Sequence, residues 1–128
     1  MHNTVVVHFD DGKILKGTSI DFSPARPSFH LQEDGGGEVT EIEIAGLKAV
    51  FFVKSYAGDP VHQDDQDAER AGFGRRLQVS FRDGEKMSGY TSGYAPNRPA
   101  FFMFPADPES NNEKIFVVAA ATTEVKFL

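Results

Sequence analysis

VHFDDGKILKGTSIDFSPARPSF, residues 7–29, returns as VSFRDGEKMSGYTSGYAPNRPAF at residues 79–101. At an offset of 72 the two stretches share Val7/Val79, Phe9/Phe81, Asp11-Gly12/Asp83-Gly84, Gly17/Gly89, Pro24/Pro96, Arg26-Pro27/Arg98-Pro99 and Phe29/Phe101. Between these identities lie close exchanges such as Leu15/Met87, Ser19/Thr91, Phe22/Tyr94 and Leu31/Met103. The pattern is that of an internal duplication, and it divides the chain into two similar units. In each copy, apolar residues alternate with polar ones up to an Asp-Gly, which predicts a strand turning through a two-residue hairpin into the next strand. A glycine in the middle of that second strand, Gly17 or Gly89, marks a bend or a close approach of another backbone.

Outward from these stretches, Pro24 to Pro27 and Pro96 to Pro99 break the ladder, because proline removes a donor and fixes φ. Short runs follow at Ser28 to Gln32 and Val39 to Ile44, which alternate, and at Ala49 to Val53, which is apolar throughout, and the plan recurs at Ala100 to Phe104, Lys114 to Ala120 and Glu124 to Leu128. Five strands in each half predict an all-β chain of two tandem five-stranded small barrels, at residues 1–54 and 75–128. Residues 55–74, with Asp64, Asp65, Asp67 and Glu69, read as an acidic linker, partly disordered or with a short helix around Asp65 to Ala71.

The chain has 128 residues, 40% of them hydrophobic, with twelve Phe and no Cys. That composition supports a packed core and excludes disulfides, thiolate metal sites and cysteine nucleophiles. No apolar run is long enough for a membrane span and no leader pattern is evident, so the expected location is the cytoplasm, with no membrane partner. The net charge of −6 is uneven: five basic residues against eight acidic in 1–54, one against five in 55–74, and seven against six in 75–128. Nucleic acid is disfavoured by this balance, since phosphate neutralisation needs a basic face, and only the second half offers one.

Differences between the copies show what each faces. His30, Gln32, Glu41 and Glu43 of the first copy stand opposite Phe102, Phe104, Phe116 and Val118 of the second. Conversely, Val6, Ile14, Ile20 and Phe51 stand opposite Gln78, Lys86, Ser92 and Lys126. The third and fourth strands of the second copy thus read as buried on both faces, and each copy carries an outer apolar patch that the other lacks. These patches pack against each other within the chain, meet across a homo-oligomer, or receive a partner protein.

From Val5 to Leu31, and again from Leu77 to Met103, alternating apolar residues, Asp-Gly, a mid-strand Gly and a later aromatic form a pattern that resembles the first motif of Sm-like barrels, small barrels of SH3-like build. The whole chain also resembles uncharacterised bacterial Sm-like domains, some in signalling proteins, that carry the Pro-x-Arg-Pro-x-Phe signature seen at 24–29 and 96–101. The RNA-binding loops of Sm proteins are not matched here: the first reads Ser23-Pro24-Ala25-Arg26-Pro27 or Ala95-Pro96-Asn97-Arg98-Pro99, and no Arg-Gly follows the fourth strands. Of the family's ligand positions the resemblance carries over only Asn97, Arg26 and Arg98.

Arg26 and Arg98 are the candidate ligand contacts, because a guanidinium on a proline-stiffened loop is a fixed fork of donors suited to carboxylate or phosphate. The same side chains can instead stack on Phe22 or Tyr94 or brace the loop carbonyls. His8 and His30 lack a third ligand in the pattern, so no metal is expected, nor a cofactor. No Ser-His-Asp order, phosphate loop or acid pair occurs, and catalytic residues are therefore not expected. Together these features point to a non-enzymatic protein-interaction or regulatory module, with RNA or nucleotide binding through the second barrel as the alternative.

Overall fold

The computed structural model describes residues 3–58 and 61–128. Ten strands follow the chain: β1 (Asn3–Phe9), β2 (Ile14–Ser19), β3 (Ser28–Glu33), β4 (Val39–Glu43), β5 (Leu47–Val53), β6 (Arg75–Phe81), β7 (Lys86–Thr91), β8 (Ala100–Pro105), β9 (Asn112–Val118) and β10 (Thr122–Phe127). One-turn 3₁₀ segments, Ile44–Gly46 and Ala119–Ala121, join β4 to β5 and β9 to β10. All pairings are antiparallel and form one ten-stranded sheet in the order β10-β6-β7-β8-β9-β5-β1-β2-β3-β4. The expected pair of separate closed barrels is thus not what the hydrogen bonds describe: β5 of the first half pairs with β9 of the second, and the sheet stays open at β10 and β4.

Local structure repeats between the halves. Phe9 N–H donates to Lys13 O at 2.9 Å and Phe81 N–H to Glu85 O at 2.8 Å, while Ile44 and Ala119 N–H donate to Pro27 and Pro99 O, both at 2.9 Å. The hairpins are not the expected two-residue turns. Gly12 and Gly84 N–H close back on Phe9 and Phe81, and only the glycine has a positive φ, +95° in both. This is a turn followed by a left-handed glycine, stabilised because Asp11 and Asp83 accept the N–H of Lys13 and Glu85. The mid-strand glycines do mark close approach: a Cβ on Gly17 would lie 2.1 Å from Gln32 O, and one on Gly89 2.1 Å from Phe104 O.

The strands β2 and β7 end at Ser19 and Thr91. Beyond these ends, side chains replace the ladder. Asp21 accepts the His30 N–H at 2.8 Å, and Thr91 Oγ1 donates to Phe102 O at 2.6 Å.

Two buried clusters make the core, and both cross the junction between halves. Alternation sends Ala49, Phe51 and Val53 of β5 into the cluster of Leu77, Val79, Phe81 and Met103, while Val50 and Phe52 enter the cluster of Val5, Val7, Phe29 and Leu31. In β9, Ile115 and Val117 face the first of these and Phe116 and Val118 the second. Strands buried on both faces read as unbroken apolar runs, which accounts for Ala49 to Val53 and Ile115 to Val118. Val6, Phe51, Phe116 and Val118, read from the sequence as outward, are therefore inside, each covered by the opposite half. Ile14 and Ile20 are not: they are 50% and 72% exposed, because Ile14 opens β2, which lies beyond β1 and out of reach of the junction, and Ile20 follows the end of that strand.

Among the described residues of 55–74 there is no helix around Asp65 to Ala71, and this segment is tied down as a strap. Asn111 exchanges hydrogen bonds with the Ser55 backbone at 3.1 and 2.9 Å, Gln66 Oε1 accepts the Ser88 N–H at 2.8 Å, and Arg70 donates to Pro105 O at 3.1 Å. Arg70 stacks on Phe73, which meets Phe104 at 5.1 Å between ring centres. The strap supplies polar side chains to the strand backbone at Ser88 and Pro105 and receives one from Asn111, so its acidic composition does not leave it detached.

Candidate functional site

The two proline loops are held beside the two 3₁₀ turns by the Ile44 to Pro27 and Ala119 to Pro99 hydrogen bonds. Between them lies a cavity of about 1040 Å³, whose walls are Pro24–Pro27 and Ala45 on one side and Ser92, Gly93, Arg98, Pro99 and Ala120 on the other. Phe102, Phe104, Phe116 and Val118 form its apolar floor, with Lys114 at its margin. Phe22 packs edge-on against Phe116 of the floor and against Phe29 and Phe52, with ring centres 5.1 to 5.2 Å apart. A trough of this volume, apolar with a few placed polar groups, has the character of a binding site.

The charged side chains lining the trough are Arg26, Arg98 and Lys114, with no carboxylate among them. Lys114 holds its ammonium 4.7 Å from the Phe102 ring centre and 5.0 Å from that of Phe52. Arg98 donates one bond, at 3.2 Å, to Gly93 O and so braces its own loop, leaving its other donors available. Arg26 is exposed. Among the described residues none of the three cations is ion-paired. Asn97 is exposed in the second proline loop and does not line the trough.

Of the residues expected to form interfaces, the trough thus brings together Phe102 and Phe104 with the core residues Phe116 and Val118 behind them, while Val6 and Phe51 belong to the core alone and Ile14 and Ile20 lie elsewhere. Lys114 was not singled out by sequence reasoning. A signal existed: it stands at the position matching Val39, a change from apolar to cationic in a strand whose other changes run the opposite way.

A second, smaller cavity of about 460 Å³ lies between the hairpin tips. There Lys48, 8% exposed, donates to Asp83 at 2.6 Å and to Glu85, and Arg82 pairs with Asp10 at 2.7 Å. Burial opposes the charge on Lys48, but its two carboxylate partners outweigh burial and hold its pKa above the ordinary lysine value. The hydrogen bond from Lys48 in turn lowers Asp83, and burial, followed by the Lys48 charge, lowers His8, which packs on Phe51 at 4.5 Å. Lys48 with Asp83 and Glu85, and Arg82 with Asp10, thus pair charges of the two halves across the junction.

His62, Asp64 and Asp107 are the one metal-type cluster among the described residues. Asp107, however, accepts the N–H of Asp65 and Glu109 at 2.9 and 2.8 Å as well as His62 at 2.9 Å, and those backbone bonds lead the lowering of its pKa. Its Oδ2 anchors the strap through His62 and Asp65, and its Oδ1 closes its own turn on Glu109.

His30 and His8 do not come together. His30 Nδ1 instead meets Asp21 at 2.7 Å, a contact that raises the His30 pKa and lowers that of Asp21. The raised histidine contributes stability below its ordinary 6.5 and loses it as pH rises through the folded value; the lowered aspartate contributes above its ordinary 3.8 and loses it as pH falls through the folded value. The pair is therefore fully formed between these limits. In an NMR titration Asp21→Asn should bring the His30 midpoint down toward the ordinary value; an unmoved midpoint would mean the pair is not formed.

The whole chain, residues 1–128, matches the profile of a family of unknown function, DUF6982. The chain belongs to that family. No curated protein and no solved structure matches the chain. For this DUF6982 member the trough is accordingly read from its own geometry. Among its described residues no helix is long and apolar enough to cross a membrane.

Proposed function

We propose that this DUF6982 member is a non-enzymatic interaction module that receives a segment of a partner protein in the trough between its proline loops. The observation that carries this reading is the aromatic floor bordered by Arg26, Arg98 and Lys114, three cations without carboxylate partners in an acidic chain. The repeated turn and loop hydrogen bonds support descent from a duplicated Sm-like, SH3-like unit, with two tandem barrels merged through β5 and β9. Absence of cysteine suits a cytoplasmic setting, and the Pro-x-Arg-Pro-x-Phe signature suits bacterial signalling. A second copy is the other protein partner in keeping with this surface. The second reading, RNA or nucleotide binding, is favoured by the origin of Arg98, Lys114 and the floor phenylalanines, all in the second half.

The test of the trough uses 1-anilinonaphthalene-8-sulfonate, an aromatic anion that matches floor and rim. It should bind the native chain at one site, and Ala120→Trp, which adds bulk at an exposed wall position, should abolish the signal without altering the circular dichroism. Equal fluorescence from both proteins would remove the trough as the binding surface.

A further inference from the structure

The occupant must answer an aromatic floor and three separate cations at once. Lys114 is fixed against two rings, Arg98 is braced at one nitrogen only, and Arg26 projects from its loop, so each presents donors to whatever lies in the trough. A nucleic-acid strand would set regularly spaced phosphates not only on these cations but also along the flanking surface of a chain whose net charge is −6. A protein segment avoids this repulsion, because it places carboxylates only where the rim is basic. The volume of about 1040 Å³ also lies at the upper limit of small-molecule pockets, and both walls are solvent-facing loops. We infer that the trough takes a short acidic–apolar peptide segment of another protein, its bulky side chains on the half-buried Phe102 and Phe104 and its carboxylates on Arg26, Arg98 and Lys114.

This rests on the trough being a binding site, and the experiment separates the two claims. Full-length protein is titrated, with fluorescence anisotropy as the readout, against a labelled short peptide alternating Glu with Phe and Leu. Its Gln-for-Glu and Ser-for-Phe/Leu counterparts and an oligouridylate serve as comparisons. The acidic–apolar peptide should bind best and lose about tenfold or more on Arg98→Gln, as expected for a charge-assisted hydrogen bond. Its affinity should also fall when salt is raised from about 0.1 M to about 1 M, where screening shortens to about 3 Å. Ala120→Trp should abolish binding. If the anilinonaphthalene sulfonate fills the trough but the acidic–apolar peptide binds no better than its counterparts, the inference fails and the site stands. If neither binds, both fail; tighter binding of oligouridylate overturns the inference in favour of nucleic acid.

Discussion

Phe116→Ala should destabilise the entire chain by about 3–5 kcal/mol, the range for removing a large aromatic from a core. Phe116 is 3% exposed and belongs by sequence to the second half, yet it is buried in the cluster that contains Val5, Val7, Phe29 and Leu31 of the first. Its ring lies 4.8 Å from Phe102 and 5.2 Å from Phe22, so truncation leaves a cavity that rigid neighbours on both sides of the junction line. Unfolding followed by circular dichroism should remain a single transition at a midpoint lowered by roughly 10 °C or more. Hydrogen exchange should quicken in β2 and β3 as well as in β7 and β8. Acceleration confined to the second half would show that the halves are not one cooperative unit.

Gly89→Ala should cost roughly 3 kcal/mol or more, against the usual sense of a glycine-to-alanine change in a strand, which relieves backbone entropy. The added methyl would lie 2.1 Å from Phe104 O and 2.7 Å from Met103 Cε. The methionine end can move; the carbonyl cannot without disrupting the two pairs, Gly89 with Pro105 and Tyr90 with Phe104, that join β7 to β8. Gly17→Ala should behave alike, since Gln32 O stands at the same 2.1 Å and β2 and β3 also share only two pairs. Gly46→Ala is the comparison: nothing lies within 4 Å and the φ is not positive, so its midpoint should hold or rise slightly. Equal denaturant midpoints for all three variants would refute the close-approach account.

What the sequence disclosed was local. Asp-Gly, the mid-strand glycines and the proline pairs mark turns, close approach and breaks because their causes act within a few residues. The coverage of each face was not disclosed. Period-two alternation separates Phe51 from Phe52 and Phe116 from Ile115, but it is silent on what lies over either face. That depends on β5 pairing with β9, a contact between residues 59 to 68 positions apart, set by the register Ala49 with Val117 and Phe51 with Ile115. For the same reason Ile14 and Ile20 looked equivalent to Val6, although only Val6 lies on a strand next to the junction. In the trough, the proline-bound arginines stood out because their loops are stiff. Lys114 was hidden, since its role comes from the rings of Phe52 and Phe102 on two neighbouring strands.

The open sheet ends in β4 and β10, the counterparts of the strands that join the halves inside. If those outer strands matched the inner joint in chemistry, each molecule could accept the next, and the series would continue as a fibre or close as a ring. They do not match. Glu41 and Glu43 stand where the inner joint has Phe116 and Val118, and Lys126 stands where it has Phe51, all three exposed. Charges on an edge strand deter further pairing. Divergence between the copies thus does two things at once: it fills the core at the inner joint, and at the two outer counterparts it sets charges that oppose the addition of another strand, as chain terminators do.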